Sequence, residues 1–183
     1  MFIHGVSEMK DIVVVTGYKR SGTSLMMRIL QEIGYEPVVS QDLEKYLKKT
    51  VPKNEYFLEH IKHVYDGFED GEIPEGSCVK VLCCKLDKIP KNCKTIFMMK
   101  DVFRILDSLN EYKTPTEMVG EQAILQKYDD WVQQYRQRFP EGMMIDFDDL
   151  VNEPEMVLKG GRFEKLIGKE VDFEKVSKLI WKK

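Results

Sequence analysis

Short apolar runs alternate along this chain with stretches of helical spacing, a pattern that predicts a parallel sheet covered by helices. The first run, Ile12-Val13-Val14-Val15-Thr16, is continuous and β-branched, as a strand buried on both faces requires, and predicts a strand over 11–16. Leu25 to Leu30 switches to helical spacing, predicting a helix over about 22–33 that stops at Gly34. A short strand near 36–39 follows, and Gln41 to Lys49 reads as helical. Apolar residues at 57, 58, 61, 64, 65 and 68 make a helical stripe between Tyr56 and Phe68. Asp70-Gly71 and Pro74-Glu75-Gly76 are turns. Strands are expected at Cys78–Cys84, Thr95–Met99 and Met143–Phe147. Asp101 is placed to cap a helix reaching about Tyr112, and Thr116 opens a long helix to about Arg138 after the break at Thr114-Pro115. Pro154 sits in the first turn of another helix, and Asp172 caps a last one ending near Trp181. The expected fold class is α/β, three layers (α/β/α) around a central parallel sheet of about 4–5 strands.

The chain has 183 residues, enough for one domain with a sizeable core, so a single domain over 1–183 is expected. A net charge of −3 argues against a broad nucleic-acid surface and leaves room for a small basic pocket. No apolar stretch approaches the length of a membrane span. Met1 to Lys10 carries His4, Glu8 and Lys10 and lacks the apolar core of a signal peptide, so a cytoplasmic location is the default expectation. The cysteines, Cys78, Cys83, Cys84 and Cys93, form no C-x-x-C pair, so no metal site is expected and buried reduced thiols are.

Chemistry concentrates where the first strand ends. Residues 17–24 place Gly17 and Gly22 at the spacing of the phosphate-binding loop G-x-x-x-x-G-K-[ST], between a strand and a helix. The lysine position is Thr23, however, and a triphosphatase needs that lysine on its β- and γ-phosphates. A turn of backbone N–H groups and a helix N-terminus remain, which suit a phosphate, and Arg20 with Lys19 brings the cation into the loop itself.

Lys19-Arg20-Ser21-Gly22-Thr23-Ser24 resembles the 5′-phosphosulfate loop P-[KR]-S-G-T-[TS] of sulfotransferases that use 3′-phosphoadenosine 5′-phosphosulfate, with lysine at the proline. A second segment is similar to their 3′-phosphate motif, R-[DN]-P-x-[DE] at a strand end with a serine eight residues after the arginine. Here Lys100-Asp101 ends the strand, Val102 stands at the proline, and Ser108 follows eight residues after Lys100. Arg104 and Ser108 are four apart and share a helical face. A dianionic phosphate wants a fixed cation, a hydroxyl donor and helix N–H groups; lysine supplies charge without the guanidinium fork. Met143 to Pro154 resembles the family's v-x-Y-E-D-L-v-x-x-P stretch, with Phe147 at the tyrosine and Asp148 at the glutamate. Leu166-Ile167-Gly168 and Val171-Asp172 resemble its C-terminal segment. The likeness runs over most of the chain in order, although the chain is short for the family, Leu25 stands where many members carry an adenine-stacking aromatic, and Lys159-Gly160-Gly161-Arg162 reads as a helix end and turn instead of the family's glycine-rich element.

The resemblance implies sulfuryl transfer from 3′-phosphoadenosine 5′-phosphosulfate to a hydroxyl or amine, leaving 3′-phosphoadenosine 5′-phosphate. Arg20 would be the catalytic cation; Lys19, Arg20, Ser21, Gly22, Thr23 and Ser24 would hold the 5′-phosphate, and Lys100, Arg104 and Ser108 the 3′-phosphate. Glu59 and His63, read as four apart on one helix after Pro52 to Glu59, are the candidates for the general base. Lys85 is expected near the carboxyl end of its strand, and Lys80, midway, on a sheet face. The partners implied are the nucleotide donor and an unidentified acceptor. A P-loop kinase of small metabolites, a nucleotide-binding relative without catalysis and a purely structural domain stay open as alternatives.

Overall fold

The computed structural model describes residues 9–40, 58–111, 121–159 and 161–180. The β-branched run forms the central strand β1, Lys10–Gly17, in which Val13, Val14 and Val15 are fully buried. After it come α1 (Thr23–Glu32), β2 (Glu36–Pro37), α2 (Ile61–Asp66), β3 (Ser77–Leu82), a 3-10 segment (Cys83–Lys88), β4 (Cys93–Met99), α3 (Val102–Glu111) and α4 (Glu121–Arg138). The chain closes with β5 (Met143–Asp146), α5 (Phe147–Asn152), α6 (Pro154–Leu158), α7 (Arg162–Ile167) and α8 (Phe173–Ile180). Among the described residues the five strands form one parallel sheet in the order β2-β3-β1-β4-β5.

The period of two along each strand sorts side chains onto two covered faces. Val13, Val15, Cys78, Ile96, Met98 and Ile145 pack on one face with Met26, Met27 and Leu30 of α1, Leu158, Phe163 and Val176. Ile12, Val14, Val79, Val81 and Phe97 pack on the other with Leu86, Ile105, Tyr128 and Tyr135. The result is the three-layer α/β/α arrangement with a P-loop-type central strand, as the alternation of patterns predicts.

Local signals set most element ends. The Arg104 N–H donates to Asp101 Oδ1 at 3.1 Å at the start of α3, and the Lys175 N–H donates to Asp172 Oδ1 at 3.3 Å at the start of α8. Asp146 accepts from the Asp148 and Asp149 N–H groups at 2.7 and 3.3 Å, so the strand expected to Phe147 ends one residue earlier, at the cap of α5. Pro154 occupies the first turn of α6.

Two further elements differ from expectation. The strand expected over Cys78–Cys84 stops at Leu82 because Cys83, Leu86 and Ile89 bury side chains every third residue, the period of a 3-10 turn. Lys85 therefore lies in that turn and not at a strand end, and Cys84 is exposed, unlike buried Cys78, Cys83 and Cys93. The helix expected from Tyr56 to Phe68 is reduced, in the described part, to Ile61–Asp66: Leu58 has φ 32° and His60 is extended, which keeps Glu59 out of the helix. The helix expected at Gln41–Lys49, the Pro52–Phe57 segment and the start of the long helix at Thr116 lie outside the described residues. Among the described residues no helix is long and apolar enough to cross a membrane.

Candidate functional site

β1 lies between β3 and β4, so the loop leaving its carboxyl end opens into the crevice where the strand order reverses, the usual ligand position in open α/β sheets. The backbone of the loop is tightly specified. The Ser21 N–H and Oγ both donate to the Tyr18 carbonyl, at 3.2 and 2.7 Å, closing the turn. A Cβ on Gly17 would lie 2.6 Å from Ser21 Oγ and 2.7 Å from the Met98 carbonyl, so the loop can pass β4 only as glycine. Gly22 has φ +92°, and a Cβ there would collide with the Phe147 ring. Arg20 has φ 70°, a left-handed conformation that a residue with a Cβ seldom adopts. Thr23 and Ser24 then form the first turn of α1, which contains no acidic residue, so its N–H groups and positive dipole end are uncompensated by carboxylates of that turn.

Arg20 Nε donates to Ser108 Oγ at 3.0 Å, bringing together the loop and α3 across 88 positions of sequence. Lys100 follows the last residue of β4; its Nζ lies 4.7 Å from the centre of the Phe147 ring, and its backbone N–H donates to the Tyr128 hydroxyl at 3.2 Å. Arg104, expected beside Ser108, instead forms an ion pair with Asp148 at the start of α5. Tyr18 stacks on Trp131 of α4, with ring centres 5.4 Å apart and planes 18° from parallel, while Lys19 Nζ sits 5.3 Å from the centre of the Tyr65 ring on α2. Burial, with the neighbouring Cys83 and Cys84 thiols, pushes the Tyr18 hydroxyl pKa up, so it remains a neutral packing group.

The sheet also supplies a cation that the sequence reading set aside. Lys80 faces the α1 side of β3, where it is only 4% exposed, and its Nζ donates to Ser24 Oγ at 2.8 Å and to Glu59 Oε2 at 3.0 Å. The available signal was a charged residue inside an otherwise apolar parallel strand: covered on both faces, such a lysine must find a partner. Glu59 and His63 do not share a helical face. The Glu59 carboxylate reaches Lys80, whereas the His63 ring is buried, with Nδ1 3.2 Å from the Gly67 carbonyl. The His60 ring packs at a tilt on His63, with ring centres 4.5 Å apart; burial, with the His63 and Lys62 charges, holds the His60 pKa below its ordinary value. An open cleft of about 970 Å³, lined among others by Asp66, Phe68, Glu72, Lys88 and Arg138, shares no residue with the loop.

Chemically, the crevice combines a helix N-terminus, three hydroxyls (Ser24, Thr23, Ser108), the cations Arg20, Lys80 and Lys100, and one carboxylate, Glu59. Such a set can bind phosphate groups and hold an acid–base group beside them.

No protein-family model matches the chain, and no curated protein matches its sequence. Solved structures do match in shape. Retinol dehydratase in complex with androsterone and the inactive cofactor PAP superposes with a TM-score of 0.53 at 13% identity, over 93% of this chain and 63% of that one. The sulfotransferase domain of the olefin synthase from Synechococcus PCC 7002 gives a TM-score of 0.53 at 10% identity, over 94% of this chain and 78% of that one. Retinol dehydratase in complex with retinol and PAP gives 0.52 at 15% identity, over 93% and 64%. The chain thus spans less than two thirds of the retinol dehydratase chains. At these identities the likeness is one of fold.

Proposed function

We propose that the chain is a sulfotransferase that moves a sulfuryl group from 3′-phosphoadenosine 5′-phosphosulfate to a hydroxyl or amine, and that residues 1–183 form one domain of that kind. The observation that carries this reading is the Arg20–Ser108 hydrogen bond of 3.0 Å. A loop suited to one phosphate and a strand-end element suited to another converge on one crevice. A donor phosphorylated at both ends requires that convergence; a plain phosphate loop does not.

The roles follow from charge. Thr23, Ser24 and the N–H groups of Lys19, Arg20 and Gly22 surround the 5′-phosphate, and Ser21 holds the turn in shape through Tyr18. Lys100, Ser108 and Arg104, once it exchanges Asp148 for the ligand, take the 3′-phosphate. In the transfer the acceptor oxygen or nitrogen forms a bond to sulfur as the sulfur–oxygen bond to the 5′-phosphate breaks. The electron pair of the broken bond goes to the leaving phosphate oxygen, and the acceptor proton goes to a base. Arg20, with Lys80 next to Ser24, meets the charge that grows on the leaving oxygen. Of the two base candidates, Glu59 stands beside the loop through Lys80, and His63 is turned toward Gly67.

A melting series tests the reading: the protein with 3′-phosphoadenosine 5′-phosphate, and with ADP with and without magnesium. At a hundred times its dissociation constant a ligand stabilises by about 2.7 kcal/mol. A shift with the 3′-phosphorylated nucleotide in the absence of magnesium is expected. A shift only with ADP and magnesium would overturn it in favour of a kinase.

A further inference from the structure

The loop carries two adjacent cations, and it sends them to different helices. Arg20 goes to Ser108 on α3, the side that holds the donor in the function proposed above. Lys19 goes to Tyr65 on α2, with its ammonium 5.3 Å from the ring centre. Glu59, the candidate base, precedes α2 with only His60 between them, so in the function proposed above the helix that carries Tyr65 begins on the acceptor side. Three other cations nearby face an anion or a hydrogen-bond acceptor, and Lys100 lies over the Phe147 ring at the end of β4, on the donor side of the function proposed above. Lys80 faces the Glu59 carboxylate, Arg104 faces Asp148, and Arg20 faces Ser108. Lys19 is exposed, and among the described residues no carboxylate lies within ion-pairing distance of it. Tyr65 is 45% exposed, which is unusual for a large aromatic in this molecule. A phenol ring that shields one side of an ammonium fixes its position and leaves its other N–H groups for a ligand.

We propose that Lys19, held by Tyr65, is an acceptor-recognition residue that selects acceptors bearing an anionic group, such as a carboxylate, beside the hydroxyl that receives the sulfuryl group. The inference rests on the sulfotransferase reading. It adds the charge class of the substrate: the loop cation not engaged with α3 serves the acceptor and not the donor.

Three phenols that differ only in the charge of the tail make the test: 3-(4-hydroxyphenyl)propionate, 4-ethylphenol and tyramine, each with 3′-phosphoadenosine 5′-phosphosulfate as donor. The carboxylate should exceed the amine in kcat/KM by about tenfold, attraction of one tail adding to repulsion of the other. Lys19→Glu should reverse that ratio, Lys19→Arg should keep it, and Tyr65→Ala should shrink it. Because the readout is a ratio between acceptors at one donor concentration, a loop merely loosened by the substitution would lower all three rates and leave the ratio unchanged. An unchanged ratio in Lys19→Glu overturns the inference, as does a wild-type preference for the amine or neutral phenol. Binding of 3′-phosphoadenosine 5′-phosphate with no transfer to any of the three also overturns it while the donor reading stands. Failure to bind that nucleotide removes the donor reading itself.

Discussion

Arg20 Nε and Ser108 Oγ stand 3.0 Å apart, one on a loop in a left-handed backbone conformation and the other on the helix that follows β4. The contact means that the serine hydroxyl has two claims on it. It accepts from the guanidinium in this structure, and in the proposed function it would donate to a 3′-phosphate near Lys100. On the proposed function, binding of a doubly phosphorylated nucleotide would therefore act on both residues at once.

Ser108→Ala should weaken binding of 3′-phosphoadenosine 5′-phosphate by about tenfold, the scale of one hydrogen bond to a charged group. Titration calorimetry on the wild type and the variant measures it. The affinity for adenosine 5′-phosphate, which has no 3′ group, should change much less; equal losses for both nucleotides would show that the serine does not read the 3′ end.

Arg20 separates stability from activity. Its φ of 70° costs a residue with a Cβ about 1 kcal/mol relative to glycine. Arg20→Gly should therefore melt at or above the wild type, and Arg20→Ala should melt below Arg20→Gly. Both should lose turnover by about a hundredfold, typical of removing one electrostatic stabiliser of a transition state. Retained turnover in Arg20→Gly would show that the loop backbone, without the guanidinium, performs the chemistry.

The legible parts of this molecule are those governed by neighbours in sequence. Gly17 and Gly22 announce the loop because each meets a steric demand of the turn itself. Asp101, Pro154 and Asp172 announce helix starts because a cap or a first-turn proline acts within one turn, whereas Asp146, inside the expected strand, caps α5 one residue before that strand was expected to end. The Lys80–Ser24–Glu59 cluster was illegible because its contacts span 56 and 21 positions and depend on which helix covers β3. The shared face expected of Glu59 and His63 failed for a local reason that the apolar stripe conceals: Leu58 before Glu59 has a positive φ and His60 after it is extended, so Glu59 lies outside the helix. The 3-10 turn at Cys83–Lys88 was concealed by its composition, since two periods of three read equally well as the tail of a strand.

Acid should loosen the segment next to the candidate base. Burial, with the charges of His63 and Lys62, depresses the His60 pKa in the folded protein. The unfolded chain thus takes up a proton near its ordinary value of about 6.5, before the folded one does. Stability from neutral His60 is fully present above that pH and declines as the pH falls from it toward the depressed folded value. His60→Gln should remove this part of the slope. Melting temperatures of the wild type and variant from pH 7.5 to 5 should converge as pH falls; parallel curves would refute the assignment.

The two members of the buried ion pair should respond unequally to removal. Lys80 is 4% exposed at its side chain and Glu59 is 22% exposed, so solvent can compensate the carboxylate better than the ammonium. Glu59→Gln takes the carboxylate from a cation shut inside the sheet, and losses of about 3 kcal/mol accompany such changes. Lys80→Met takes away the charge and keeps most of the volume, leaving a carboxylate that can rehydrate, so its loss should be smaller, about 1 kcal/mol. Urea unfolding of both variants and of the double variant Glu59→Gln/Lys80→Met measures the pair, with the double variant more stable than Glu59→Gln alone. Turnover then distinguishes the roles. If Glu59 accepts the acceptor proton, Glu59→Gln abolishes transfer to poorly acidic alcohols far more than to an acidic phenol, which needs less help from a base. If Glu59 only holds Lys80, the double variant should fall no further than Lys80→Met, and both acceptors should lose rate in proportion.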